Sequence, residues 1–116
     1  MARHAQRDID RILWTSADRH GPRAADRYRR LIARSLTDLR HDPARPSSRS
    51  AAFADLRLYA LRVAARSLAP ADKVRAAVHV VVYRFDDRQV EIVRVLHEAM
   101  DLPRWLEQAA AECGED

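Results

Sequence analysis

The stretch from residue 77 to residue 96 constrains this chain more than any other. It reads Ala-Val-His-Val-Val-Val-Tyr-Arg-Phe over residues 77–85. A turn signal, Asp86-Asp87-Arg88, follows, and then Val-Glu-Ile-Val-Arg-Val-Leu over residues 90–96. β-Branched and aromatic residues crowd both runs, and such residues fit a pleated, half-buried surface. So short a break between them predicts an antiparallel hairpin. By strict alternation Glu91, Val93 and Val95 share one face of the second run, and Val90, Ile92, Arg94 and Leu96 share the other. A lone hairpin is marginal in water, so other elements must cover it.

The first forty residues supply that cover, at a different period. Ala5, Ile9, Ile12, Leu13, Ser16 and Ala17 fall at helical spacing and predict a helix over 5–19. Gly21 stops it and Pro22 opens the next. Ala25, Tyr28, Leu31, Ile32, Ser35, Leu36 and Leu39 form the apolar stripe of a helix over 22–40. Arg23, Arg27, Arg30 and Arg34 line another of its faces, with Asp26 and Asp38 near them. Asp42-Pro43 ends it, because a residue before proline disfavours helix. The short link Arg19-His20-Gly21 folds the two helices into an antiparallel hairpin.

Between these parts, residues 42–52 read as a loop from their Pro and Ser content. Residues 56–66 are expected to be a strand, since Tyr59, Leu61 and Val63 alternate with Ala60, Arg62 and Ala64; the Ala content leaves a helix open. Residues 67–75 connect. Asp101 is a good N-cap, with Pro103 behind it, for a last helix over 101–112. The class is α+β: a helical hairpin (5–41) on a small twisted antiparallel sheet (56–97), then a short C-terminal helix, within one domain spanning residues 1–116.

Charge points to the kind of partner. Basic residues number 21 and acidic residues 17, a net +4, and every basic residue except Lys73 is Arg. The Arg fork pairs bidentately with carboxylate or phosphate, which suits an acidic protein segment or nucleic acid; a codon bias toward Arg explains the surplus equally well. Cys113 stands alone, so the fold uses no internal disulfide, and the five His show no zinc spacing. No apolar run approaches a membrane span and no signal-peptide stretch opens the chain. A cytoplasmic protein without metal or cofactor is expected.

Several motifs occur in a telling order. Ala5-x-x-Asp8-Ile9-x-x-Ile12 lies in the first helix, and Gly21-Pro22-Arg23-Ala24-Ala25-Asp26-Arg27-Tyr28 opens the second. Leu36-x-x-Leu39 then precedes Asp42-Pro43-x-Arg45-Pro46. Val80-Val81-Val82-Tyr83-Arg84, Val90 through His97, and Met100-Asp101-Leu102 complete the series. Across about residues 5–106 this chain resembles the RelE/ParE toxins of type II toxin–antitoxin systems, and is closer to the ParE side. The resemblance implies two helices packed on a twisted sheet. It also implies a cognate antitoxin whose acidic or amphipathic C-terminal segment wraps the toxin in a hetero-oligomer. Members differ in target: ParE-like ones inhibit DNA gyrase, RelE-like ones cleave mRNA at the ribosome. Two departures stand out. Family members usually begin with a strand, whereas only Met1 to His4 precede the first helix: either that strand is short or missing, which would leave a sheet edge open, or the chain start is set late. The segment Tyr59–Arg66 is Ala-rich where relatives place His and polar residues.

The residues that bear chemistry allow more than one reading. A metal-independent endoribonuclease needs groups that activate a 2′-hydroxyl, stabilise a phosphorane and protonate the leaving oxygen. Arg57, Arg62, Arg84, Arg94, His79 and His97 are the candidates. The plainer reading makes the Arg residues a solvated sheet face paired to Glu91 and Asp86, and the His residues satisfied by backbone or neighbours. No Tyr follows Tyr83, so the C-terminal Tyr of RelE-like nucleases is absent. A protein-binding inhibitor is therefore favoured over an enzyme. Its target would be gyrase, met through Arg84, Arg94, His97 and Trp105; the plainer reading of Trp105 is an anchor of the last helix on the sheet. The antitoxin is expected on Trp14, Arg23, Arg27, Arg30 and Arg34, the Arg residues reading alternatively as a face of i,i+3 and i,i+4 ion pairs. An inactive toxin kept as an antitoxin-binding protein is the third reading.

Overall fold

The computed structural model describes residues 1–51, 53–74, 76–100 and 102–113, with side chains as far as residue 108. Helix α1 (Arg3–His20) and helix α2 (Pro22–His41) form the expected antiparallel pair. Gly21 makes the turn at φ 90°, a conformation glycine adopts readily, and its N–H caps Ala17. Every apolar residue of the α2 stripe is buried. Ser35 joins them by donating its hydroxyl to the Leu31 carbonyl at 2.9 Å.

The sheet has four antiparallel strands in chain order: β1 (Arg49–Ser50), β2 (Arg57–Ala60), β3 (His79–Phe85) and β4 (Val90–His97). The hairpin β3–β4 matches the sequence expectation. Three other expectations need correction. Two residues of the supposed loop 42–52 pair with β2 as β1, since Arg49 faces Leu58 and Ser50 faces Arg57. The supposed strand 56–66 ends at Ala60, and Leu61–Ala65 turn into helix α3. Alanine favours helix, and α3 buries Leu61, Ala64 and Ala65 against α2 and the sheet. Lys73 closes α3 by donating to the carbonyls of Ala65 and Arg66.

The third correction concerns faces. The β3–β4 register shifts between Val82, opposite Arg94, and Tyr83, opposite Ile92, which makes Val93 the extra residue of a β-bulge. Strict alternation therefore fails in β4. Val90, Ile92 and Val95 pack with the α1–α2 side, and Val93 and Leu96 pack on the opposite face. The first core gathers Tyr28, Leu31, Ile32 and Leu39 from α2 with Tyr59, Val81 and Tyr83 from the sheet. The second gathers Leu56, Leu58, Val80, Val82, Val93 and Leu96 beneath helix α4 (Leu102–Cys113), which contributes Leu102, Trp105 and Leu106. Asp101, the expected cap of α4, lies outside the described residues.

No strand precedes α1, yet the β4 edge is not simply open. The N–H of Ala2 donates to the Ile92 carbonyl at 2.9 Å, and the Asp8 carboxylate accepts from the Val95 N–H at 3.0 Å. One extended residue and one acidic side chain thus take up edge groups that a first strand would have paired.

Candidate docking surfaces

Asp8 does more than meet an edge amide. It receives Nε of Arg94 at 2.7 Å and Nη2 at 3.0 Å, a bidentate pair in which both side chains are almost fully buried. The Arg94 guanidinium also lies 5.5 Å from the centre of the Trp105 ring. A line of contacts therefore runs from α1 through β4 to α4. Arg94, read from sequence as a target-binding or catalytic candidate, is held inside the fold. Trp105 is half-buried and packs on the second core, as the anchor reading expects.

The other candidates fall at several separate places, and His79 and His97 come together at one of them. Arg62 sits on α3 rather than on a strand, with its Nε 3.4 Å from Glu98. Arg84 meets Glu91 at 3.1 Å. Arg57 reaches the Ser48 hydroxyl at 2.8 Å and the Tyr83 hydroxyl at 3.4 Å, and Tyr83 itself donates to the Pro43 carbonyl at 2.6 Å, which ties the loop after α2 to the sheet. His97 accepts the Ala99 N–H at 3.0 Å, edge-on to His79. His79 and His97 face each other at one end of the hairpin. Arg84 lies five residues along β3, roughly 17 Å away at the rise of an extended strand.

His79 forms a hydrogen bond with the Tyr28 hydroxyl on the helix side of the sheet. Burial, and then the neighbouring His97, lower its pKa to about 4 against a smaller opposing pull from Asp8, so the ring is neutral at pH 7. Burial raises Tyr28 to about 12, which keeps its hydroxyl protonated and able to donate to Nδ1. The motif pattern singled out neither Asp8 as a buried ligand nor Tyr28 as a polar partner. The wide spacing of Asp8 and Arg94 along the chain hides the first, and the apolar context of Tyr28 hides the second.

Two surfaces stand out among the described residues. On the outer side of the helical hairpin, Trp14 is 70% exposed. Along α2, Arg30 is shared between Asp26 and Asp72, and Arg34 pairs with Asp38, as an ion-paired helix face would have it. Arg23 and Arg27 are exposed and meet no carboxylate among the described residues. On the sheet's opposite face, a groove of about 300 Å³ lies among Leu58, Ala60, Val63, Val80 and Leu102, rimmed by Ser47, Arg49, Arg62 and Glu98. No described helix is long and apolar enough to cross a membrane.

No curated protein matches the chain. The family model for the ParE toxin of the parDE type II toxin–antitoxin system matches residues 1–102, from the N-terminus through both helices and the whole sheet to the first residue of α4. Such a toxin implies an antitoxin partner. On the order of its elements and on that match, the chain belongs to the ParE family of type II toxin–antitoxin toxins.

Proposed function

We propose that this toxin acts by binding and inhibiting DNA gyrase, without catalysing a reaction itself. The supporting observation is the dispersal of the nuclease candidates. Arg94 is engaged by Asp8, Arg62 by Glu98, Arg84 by Glu91 and His97 by a backbone amide, with Arg84 and His97 at opposite ends of the hairpin. General acid–base cleavage requires its groups within hydrogen-bond reach of one phosphate. The target surface we favour is the turn end of the hairpin, where Arg84 adjoins the exposed Phe85.

The antitoxin is proposed to lie across the helical hairpin on Trp14, Arg23 and Arg27, an exposed aromatic and two exposed cations that suit an acidic amphipathic segment. The toxin would work in the cytoplasm, where gyrase and the antitoxin are. The test adds purified toxin to gyrase, supercoiled or relaxed DNA and ATP. Trapped cleaved DNA or blocked supercoiling, relieved by Arg84→Glu, is expected. No effect at large excess, together with new cleavage sites in primer extension on translated mRNA, would replace this reading with a ribosome-dependent nuclease.

A further inference from the structure

The outward face of the first half of α1 is used neither by the core nor by the reading above. Ala5, Asp8 and Ile9 of this helix are buried, and Ile12 and Leu13 pack on the first core. Arg3, Arg7 and Arg11 lie on the other side, one turn apart at i,i+4, and all three are exposed. None of them meets a carboxylate among the described residues. This stripe costs the helix stability. Like charges at i,i+4 repel, and Arg3 stands in a first turn that has no acidic residue, at the positive end of the helix dipole. On α2 the same residue type behaves differently: Arg29 and Arg30 pair with Asp26, and Arg34 pairs with Asp38. Codon bias accounts for the number of Arg residues and not for an unpaired row of them on one helix face.

We infer that Arg3, Arg7 and Arg11 form a contact for the phosphate backbone of duplex DNA, one that reads no base sequence. The inference deepens the gyrase reading, which sets the toxin beside the DNA its target holds, and it is tested without that enzyme. Three observations favour this occupant. Guanidinium groups repeated about every 6 Å along a helix suit a regularly repeating anion, and each fork takes two oxygens of one phosphate. The row is about 12 Å long, enough to lie beside three or four phosphates of one strand at about 3.4 Å of axis each. Finally, the residues interleaved with the three on the exposed side are polar, so an amphipathic peptide finds no apolar anchor before Trp14. The acidic residues nearby do not close the row. Asp8 is engaged by Arg94, Asp10 accepts from Gln6 at 3.0 Å, and Asp18 comes about two turns after Arg11.

The experiment titrates the whole toxin into a fluorescently labelled DNA duplex of arbitrary sequence and follows anisotropy over a range of salt concentrations, with no gyrase present. Arg3→Gln/Arg7→Gln/Arg11→Gln is expected to bind at least tenfold more weakly. Its log–log salt dependence should flatten by about 2.7, the value for three phosphate contacts. The thermal midpoint of this variant should stay level or rise, because the repulsion within α1 is gone. Arg29→Gln/Arg30→Gln/Arg34→Gln removes the same charge from α2 and should bind within about threefold of the unaltered toxin. An equal loss in that second variant would overturn the inference in favour of net charge alone. An affinity within twofold in the α1 variant would overturn it too, as would a lowered midpoint, which would give the three Arg residues to the fold. Tighter binding of a single-stranded RNA of the same length through the same residues would overturn it in favour of RNA. The two readings fail separately. Loss of DNA binding in the α1 variant supports the contact even where the toxin leaves gyrase untouched, which removes the target reading alone. Gyrase inhibition with DNA binding unchanged in that variant rejects the contact and leaves the target reading standing.

Discussion

Replacing Asp8 with Ala removes the acceptor of three hydrogen bonds, two from Arg94 and one from the Val95 N–H. The guanidinium left behind is 8% exposed and cannot be rehydrated without opening the packing between α1 and β4. Breaking one side of a buried ion pair costs about 3–5 kcal/mol, because the surviving charge loses its bidentate counter-ion. A domain of this size has about 5–15 kcal/mol in total, so the variant gives up about a fifth of its stability or more. With a urea m-value of about 2 kcal/mol/M the midpoint falls by roughly 2 M at unchanged m. Removing both charges separates this cause from a general loss of packing. Asp8→Leu/Arg94→Met replaces the pair with apolar groups of similar size and leaves chiefly the Val95 amide unmet, at about 1–3 kcal/mol. The double variant should therefore be more stable than Asp8→Ala. A midpoint shift below about 0.5 M for Asp8→Ala, or a double variant less stable than the single one, would refute the claim that the edge of β4 is held by this carboxylate.

Other consequences follow from the same geometry. His79 has its pKa lowered to about 4, so the unfolded chain binds more protons than the folded one between about pH 6.5 and 4. The stability His79 contributes is complete above pH 6.5 and lost as the pH falls toward 4, about 1–2 kcal/mol after allowance for its partial exposure; urea midpoints at pH 7 and 4.5 should converge in a His79→Phe variant relative to the unaltered toxin. Tyr28→Phe removes the partner of the His79 ring nitrogen and should cost about 1 kcal/mol, read by the same denaturation curves. Arg30→Ala and Arg34→Ala each cut exposed ion pairs, so each should change stability by less than about 1 kcal/mol. Trp14→Ala should leave the thermal midpoint unchanged while weakening antitoxin binding at least tenfold by calorimetry; unaltered affinity would remove Trp14 from that surface.

The two helices and the hairpin β3–β4 were legible because their signals are local. The α2 stripe is a period of 3.6 carried over twenty residues, and each of its members is buried. Where the reading went astray, a longer-range effect won. The run 56–66 alternates well enough for a strand, yet only Arg57–Ala60 pair with β3 and Leu61–Ala65 coil as α3, because alanines favour helix once Leu61 has a core to enter. Alternation through β4 assigned Val93 and Val95 to one face, and the bulge beside Val82 puts them on opposite ones. A single extra residue reverses every later assignment, and nothing in a run of Val, Ile and Arg marks where it falls.

The charged residues show why fold was easier to read than site. An Arg in a strand has the same identity whether it faces solvent, a ligand or a buried carboxylate, and only the partner decides. For Arg94 that partner is Asp8, 86 residues earlier on α1, whose carboxylate also meets the edge of β4. Once Ala2 and Asp8 occupy that edge, α1 is fixed along β4, and its outward side, with Trp14, is set facing away from the sheet. On the opposite sheet face α4 packs Leu102, Trp105 and Leu106 on the second core. The Asp8–Arg94 pair thus accounts at once for the buried Arg that resembled a site and for the way α1 is held along the sheet.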